Sequence, residues 1–208
     1  MTTAYATNLQ VKQRLGGDTP SFSDAWDSVI TDIISQVQAE LDREVAKARG
    51  CGLPWSFIAD SAASVRYYNT PAGGIRYLPI DDCVSIEAVY TYSSPGGTAT
   101  TLTHGSQWYE KQGDSPIVGI YRTDGVWTSN QIAGVGVKAK WGYATSCPLD
   151  VTGSTIQETI REYLAARAGD DDRVGSHVFG TVVISKAFTQ KTIQMINTYG
   201  YGGAQFRG

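Results

Sequence analysis

The sequence predicts an α+β protein in which a small helical core carries an inserted antiparallel β-domain. Three observations predict this class: apolar residues recur every three or four positions in 24–48, every second position in much of 62–145, and every three or four positions again after Pro148. We therefore predict a helical core formed by 1–58 and 148–208, with the long N-terminal helix packed on the C-terminal helices. The segment 62–145 is then an antiparallel β-sandwich or barrel inserted between the two helical portions.

The first predicted elements are two helices. A short helix over 8–15 points Leu9, Val11 and Leu15 inward. The long helix over 24–48 follows, and at about 1.5 Å per residue it is roughly 37 Å long. Its apolar stripe needs partners along this whole length. The stripe comprises Trp26, Val29, Ile30, Ile33, Ile34, Val37, Leu41 and Val45.

The middle segment contains short strands separated by turn residues. The clearest strand is 135–143, where the odd-numbered residues are apolar or aromatic, and Lys138 and Lys140 occupy the other face. Asp81 and Asp82 are typical of turns, so we predict that they separate two further strands. The remaining predicted strands are 62–69, 75–80, 84–92, 100–103, 107–111 and 117–121.

A helical period resumes after Pro148. Ser154 and Gln157 fit a capping box at the start of a helix that ends at Gly169. We predict that its apolar stripe lies against the long helix, and that a weaker helix covers 186–198. The stripe comprises Ile156, Ile160, Tyr163, Leu164 and Ala168.

Composition excludes several classes of protein. The chain has 208 residues, 41% of them hydrophobic, and its formal net charge of −3 does not suit a protein that wraps nucleic acid with Lys and Arg. No window is apolar enough for a membrane span, so we expect a soluble protein without membrane contact. Cys51, Cys83 and Cys147 are odd in number and widely spaced, which favours reduced thiols over disulfides or a zinc site.

Candidate catalytic and metal-binding residues are few, and we predict no catalytic, cofactor or metal site. His104 lies in a predicted turn, and no nucleophile elbow accompanies it. The acidic run Asp170, Asp171 and Asp172 lacks the spacing of a calcium loop. It is interpreted as a solvated loop, or as charge that lines an interface or a channel.

The aromatic residues allow more than one interpretation. Those of the β-segment either face the core or form a contact surface, since Tyr and Trp are enriched at protein interfaces. A further alternative is a carbohydrate-binding module that stacks sugars on Trp108, Tyr109 and Trp127. The C-terminal aromatics are spaced by glycines and lack a core pattern, so we predict that they order on a partner. The first group is Tyr67, Tyr68, Tyr90, Tyr92, Trp108 and Tyr109, and the second is Tyr199, Tyr201 and Phe206.

Three stretches of the sequence are informative because of their order. They are, first, Asn8–Lys12 followed by the long helix with Ile33, Ile34 and Leu41–Glu44; second, Ile75–Ile80 leading into Val84–Val89; and third, Val137–Tyr143 with Cys147–Asp150. In this order they resemble the head–tail connector proteins of tailed bacteriophages, a family also called head-completion or adaptor proteins. None of the stretches is a catalytic fingerprint.

The resemblance implies a structural virion protein rather than an enzyme. It implies a dodecameric ring of this chain beneath the portal protein, in the neck of a virion whose proteins are made in the cytoplasm of the host bacterium. Such a ring extends the DNA channel, lets DNA pass without sequence-specific binding, and offers a docking surface to tail-side connector or stopper proteins. Acidic subunits suit a channel for DNA, because acids repel phosphate.

The resemblance also suggests roles for individual residues. It assigns the aromatic tail to the portal, one face of the long helix to neighbouring subunits, and the acidic run to the channel or an interface. Another phage structural component, such as a tail terminator or a baseplate protein, is the main alternative. The residues are Tyr199, Tyr201, Phe206 and Arg207 for the portal; Trp26, Ile30, Ile34 and Leu41 for the subunit contact; and Asp170, Asp171 and Asp172 for the channel.

Overall fold

The chain divides into two compact units, Met1–Pro54 with Cys147–Gly208 and Trp55–Ser146. The first unit contains four helices among its described residues, and the second contains a six-stranded antiparallel sheet. The predicted α+β class is therefore confirmed. The structure, a computed structural model, describes residues 4–16, 25–50, 55–70, 72–111, 116–128, 131–167 and 188–201.

The helical unit begins with a short helix that is fixed at its N-terminal end. The Thr7 side chain accepts a hydrogen bond from the backbone N–H of Gln10, whose side chain accepts one from Thr7 in return, so the helix starts with a capping box. Asn8 donates to the backbone oxygen of Asp27 at 3.0 Å and thereby holds this helix on the next one. The helices are α1 (Asn8–Arg14), α2 (Ala25–Arg49), α3 (Leu149–Arg167) and α4 (Gln190–Tyr201).

The apolar stripe of α2 lies in the core of the helical unit, at the helical spacing seen in the sequence. α2 packs against α1, α3 and α4. The sequence indicated only α3 as a strong partner, because the apolar pattern of α4 is weak. In α1, Val11 is buried as predicted, whereas Leu9 is 60% exposed. The buried stripe residues of α2 are Ile30, Ile33, Ile34, Val37, Leu41 and Val45.

α4 approaches α2 closely at Gly200. A Cβ atom built on Gly200 would lie 2.3 Å from the Cβ atom of Ala48, so the helices meet where neither carries a larger side chain. Arg49 Nε donates to the backbone oxygen of Tyr199 at 2.8 Å, and the Tyr199 hydroxyl donates to Asp150 at 2.9 Å. The start of the predicted aromatic tail is therefore the last turn of α4, and α2 and α3 hold it in place.

We expect Gly200→Ala to lower the free energy of unfolding by about 1–3 kcal/mol, because overpacking a tight contact forces neighbouring atoms apart. Ala48→Gly removes the atom that the new methyl group meets. The double variant should therefore be more stable than the sum of the two single effects predicts. Urea unfolding followed by far-UV circular dichroism measures all three variants, and simple additivity would contradict a direct contact.

The strands of the β-unit form one six-stranded antiparallel sheet rather than two separate sheets. The strand order is β1-β6-β2-β5-β4, and β3 also pairs with β2. Trp127 and Trp141 are the largest fully buried side chains of its core. The strands are β1 (Ser64–Tyr68), β2 (Tyr77–Tyr92), β3 (Ala99–Leu102), β4 (Trp108–Glu110), β5 (Ile117–Arg122) and β6 (Val135–Trp141).

β2 runs unbroken through Asp81 and Asp82, so the predicted break between two strands is wrong. The strand shifts its register against β5 at this point. Asp82 is 6% exposed and accepts a hydrogen bond from Trp55 Nε1 at 2.8 Å, and Asp81 accepts one from the Tyr68 hydroxyl at 2.8 Å. Both carboxylates stay in the strand because each has a donor, which their turn propensity does not indicate.

Two residues of the suggested carbohydrate-stacking platform, Trp108 and Trp127, are core residues. Trp108 is 3% exposed and donates to the backbone oxygen of Leu102, while Trp127 is 1% exposed and donates to that of Arg76. Only Tyr109 of the suggested platform is exposed. The platform is therefore wrong, because two of its three rings lie inside the β-unit.

Tyr68 makes this unit sensitive to high pH. Burial, followed by the negative charge of Asp81, raises the pKa of Tyr68 well above its usual value. The folded chain then holds the phenolic proton more tightly than the unfolded chain. This contribution to stability is complete below about pH 10 and is lost as the pH rises further.

We expect Tyr68→Phe to flatten the decline of the unfolding midpoint above about pH 10, because the titrating hydroxyl is gone. Thermal unfolding of both proteins across this pH range measures the effect. Curves for wild type and variant that stay parallel would contradict the assignment.

Candidate interaction surface

Helix α3 is amphipathic in an unusual sense, because its inner face is largely polar. Apolar side chains normally face the core of a folded unit, and a polar residue is buried only when it is paired. The buried residues of α3 are Val151, Ser154, Thr155, Glu158, Thr159, Glu162, Tyr163 and Ala166.

Glu158 is the centre of this polar inner face. Its side chain is fully buried, and Oε1 accepts hydrogen bonds from the Thr189 backbone N–H at 2.9 Å, the Thr189 hydroxyl at 2.8 Å and the Thr192 hydroxyl at 2.6 Å. Thr189 immediately precedes α4, so the carboxylate lies at the N-terminus of that helix, where the helix dipole favours negative charge. Glu158 therefore fixes the first turn of α4 on α3.

Arg161 supplies the positive charge next to the two buried acids. Its Nη2 atom lies 3.1 Å from Glu158 Oε2 and 3.0 Å from Glu162 Oε1. Trp26 of α2 packs edge-on against Tyr163, with ring centroids 5.6 Å apart. Ion pairs, hydrogen bonds and the contact of Tyr163 with Trp26 thus contribute to holding the inner face of α3, where most buried residues are polar.

The opposite side of α3 carries the aliphatic residues. We call Leu149, Ile156, Ile160 and Leu164 the α3 outward face. Leu149 is 89% exposed and Leu164 is 49% exposed, and the two isoleucines are half-buried. Spacings of seven, four and four residues place these side chains in one line along the helix.

This arrangement corrects two predictions. Ile156, Ile160 and Leu164 were expected to lie against α2, but they are half-buried or exposed, and of the predicted stripe Tyr163 is the residue that packs on Trp26 of α2. Ser154 was expected to cap the helix, but α3 already begins at Leu149, and Ser154 is buried within it. A proline before the helix and an acid in its first turn, Pro148 and Asp150, were the signals of the true start.

A second surface feature is a row of tyrosines on the β-unit. Tyr77 pairs with Tyr121 across β2 and β5, and Tyr121 pairs with Tyr109 across β5 and β4. Ring centroids lie 4.8 Å and 5.3 Å apart along this row. A Cβ atom on Gly119 would lie 2.3 Å from the Tyr77 ring, so the glycine provides the space that this ring fills. The row lies on the face opposite the core, because side chains alternate along a strand.

Of the other aromatic residues of the β-segment, some face the core and some lie on the surface, so both interpretations from the sequence apply in part. Tyr68 packs against the core and Trp108 is part of it. Tyr67 is 59% exposed, and its ring centroid lies 5.7 Å from that of Tyr92, which is half-buried like Tyr90. The aromatic residues thus serve both the core and an exposed face.

The residues assigned to a subunit contact lie inside the helical unit. Ile30 and Leu41 are fully buried, Ile34 is 4% exposed, and Trp26 is half-buried against Tyr163. These side chains pack within their own chain and offer little surface to a neighbour. Their part in a subunit contact stays a prediction.

The residues assigned to the portal lie at the end of α4 or beyond it. Tyr199 is half-buried and bonded to Asp150, and the backbone of Tyr201 closes the helix. Phe206 and Arg207, like the acidic run 170–172, lie outside the described residues. Their assignments to the portal and to the channel stay predictions.

Within the described part of the chain, Cys83 is buried and His104 is paired. The described residues contain no group of three or more His, Cys, Asp or Glu that could hold a metal ion. Burial raises the pKa of the Cys83 thiol to about 12, so this cysteine is a poor nucleophile near neutral pH. His104 is exposed on the surface and paired with Glu110 at 2.6 Å. In the described part of the chain no helix is long and apolar enough to cross a membrane.

Comparison with known proteins gives matches to structures only. No protein-family model matches the sequence, and no curated protein matches it. A chain in the neck of an empty GTA particle, computed with C6 symmetry, matches with a TM-score of 0.58 and 11% identity, over 92% of this chain and 86% of that chain. A chain in the virion of a native gene transfer agent (GTA) particle matches with a TM-score of 0.56 and 13% identity, over 92% and 87% of the two chains.

A further match comes from the neck of a native GTA particle, computed with C12 symmetry. Its TM-score is 0.50 and its identity is 14%, over 85% of this chain and 84% of that chain. All three matches extend over most of both chains. The protein therefore shares its fold with chains of GTA virions and necks.

Proposed function

We propose that this protein is a structural component of the neck of a phage or phage-like particle, where identical copies form a ring. The observation that carries the proposal is the shared fold. The match to a chain of a GTA neck computed with C6 symmetry covers 92% of this chain. The order of sequence stretches that resembles the head–tail connector proteins supports the same class independently.

We further propose that the ring is an adaptor between the portal and the tail. In this position it extends the DNA channel, lets DNA pass without sequence-specific binding, and provides a docking surface for tail-side proteins. A dodecamer matches the C12 symmetry applied to one of the similar necks. The net charge of −3 suits a channel through which DNA slides, because negative charge repels phosphate.

The proposed role is assembly rather than catalysis. The α3 outward face supports it, because a line of exposed and half-buried aliphatic side chains on an ordered helix favours protein–protein contact. Under this proposal the protein is made in the cytoplasm of the host bacterium and functions in the virion, without cofactor or membrane.

Immunogold labelling of purified particles tests the position of the protein. We expect the label at the junction of head and tail, and mass spectrometry of isolated necks should detect the chain together with the portal protein. Label along the tail tube or at the baseplate would instead support a tail component. Absence of the chain from purified particles would refute a structural virion role.

A further inference from the structure

We propose that the α3 outward face packs against α2 of a second copy of this chain and forms the lateral contact of the ring. The inference rests on the proposed function, since it identifies the surface through which neighbouring subunits meet. The contacting surface on the second copy is the α2 outward face, which we define as Ser28, Asp32, Ser35 and Ala39.

The first argument is the chemistry of the α3 outward face. Its four aliphatic side chains extend over about 22 Å of helix, on the side opposite the buried carboxylates. A single exposed leucine is ordinary, but a line of aliphatic residues on an otherwise ordered helix marks a contact surface. Among the residues that the structure describes, the paired carboxylates already occupy the inner face, so a rotation that turned this line inward would expose Glu158 and Glu162.

The second argument is that a ring of identical subunits needs two different faces on each chain. A heterologous contact joins one face to the other and closes when the rotation between copies completes a circle. The α2 outward face is exposed, and its side chains are small or short, so the aliphatic line of another helix can approach it closely. Its residues follow spacings of four, three and four, which match the helical line on α3.

The third argument is charge complementarity. Arg167 follows Leu164 by three residues and extends the α3 outward face with an exposed positive charge. Asp32 places an exposed negative charge within the α2 outward face. Neither forms an ion pair with another residue in the described parts of the chain. Contact between the two faces on different copies brings these opposite charges together.

A charge exchange between two variant proteins tests the contact. In Asp32→Arg both faces carry positive charge, and in Arg167→Asp both carry negative charge, so each variant alone should repel itself. A mixture of the two restores opposite charges at every contact, because each copy meets the other variant on both sides. Sedimentation velocity of the full chain over a concentration series should show weaker association for each variant and recovery in the mixture.

Recovery in the mixture can come only from contact between different copies. The inference would be overturned by wild-type protein that stays monomeric over the whole series. It would also be overturned if the mixture associates no better than the separate variants.

A second variant tests the aliphatic part of the contact. We expect Leu164→Lys to weaken self-association by at least about tenfold, because a lysine within an apolar contact must lose its hydration. Ile132→Lys is the matched control: it places the same charge at an isoleucine that is 69% exposed in the β-unit. Equal association of the two variants would overturn the inference, and circular dichroism confirms that both remain folded.

The outcomes separate this inference from the proposed function. If the protein is located in necks but Leu164→Lys assembles like wild type, the α3 contact is wrong and the neck role stands. If the charge exchange succeeds but the protein is absent from particles, the contact between copies stands and the neck role is wrong.

Discussion

Gly142→Ala is expected to destabilise the β-unit more than any surface substitution, by at least about 3 kcal/mol. Gly142 has a φ of 139°, a conformation that residues with a side chain rarely adopt. A Cβ atom at this position would lie 2.4 Å from Ala59 Cα and 2.8 Å from the backbone oxygen of Ile58. These are backbone atoms, so no side chain can move aside to relieve the overlap.

The backbone around Gly142 is also paired on both sides. Its backbone N–H donates to the backbone oxygen of Asp82 at 2.8 Å. The backbone N–H of Asp60 donates to the backbone oxygen of Trp141, also at 2.8 Å. A shift that makes room for a methyl group must therefore disturb the hydrogen bonds that join this segment to β2. The strain and the lost hydrogen bonds act in the same direction.

Urea unfolding followed by tryptophan fluorescence measures the effect, because Trp127 and Trp141 are buried in the same unit. Gly125→Ala is the control: a Cβ atom there meets no atom within 4 Å. We expect the control to unfold near the wild-type midpoint. A Gly142→Ala midpoint equal to that of the control would show that the segment from Ile58 to Asp60 can move without loss.

The strands and the long helix could be predicted from the sequence because their apolar periods agree with their burial. In α2, the apolar residues spaced at three and four from Ile30 to Val45 are buried. In β6, Val135, Val137 and Ala139 are buried, while Lys138 is half-buried and paired with Glu87. Periodicity is sufficient where apolar burial alone decides which face turns inward.

Prediction was wrong where specific polar partners decide the structure. Turn propensity placed a break at Asp81 and Asp82, because the donors Trp55 and Tyr68 lie far away in the sequence. In the same way, the aliphatic period of α3 predicted the wrong inner face. α3 does pack on α2, but its residue Glu158 is also paired with Thr189 just before α4, and the 31 residues between them hide this pairing in the sequence.

The sequence did not reveal the α3 outward face as a surface, because its aliphatic residues were predicted to pack within the chain. A sequence period identifies an apolar stripe, but it does not say whether the stripe meets the same chain or another one. The sequence does contain one signal of a polar inner face. Glu158 and Glu162 lie four residues apart with Arg161 between them, and such a charged cluster can be buried when its members are paired.

Glu158→Ala is expected to release α4 from α3 and to lower the free energy of unfolding of the helical unit by roughly 3–5 kcal/mol. The substitution leaves the Thr189 N–H and the hydroxyls of Thr189 and Thr192 without their acceptor, and it leaves Arg161 with Glu162 as its only acid in the cluster. It also removes the negative charge from the N-terminus of α4.

Hydrogen exchange measured by mass spectrometry distinguishes local release from general destabilisation. Amides of 190–201 should lose protection before those of α2, since the lost bonds hold only the start of α4. Glu158→Gln keeps an acceptor oxygen and should cause a smaller loss, because the hydrogen bonds can persist without the charge. Gln157→Ala, at the exposed neighbouring position, should leave the exchange unchanged.

The same variant separates the two faces of α3 by their roles. If the inner face serves only to hold α4, Glu158→Gln should keep the self-association that Leu164→Lys loses, because the α3 outward face is untouched. Loss of association by Glu158→Gln with full protection of α4 would show that the buried carboxylate acts on the contact between copies. Equal protection of α4 in Glu158→Ala and wild type would show that the carboxylate does not hold the helix.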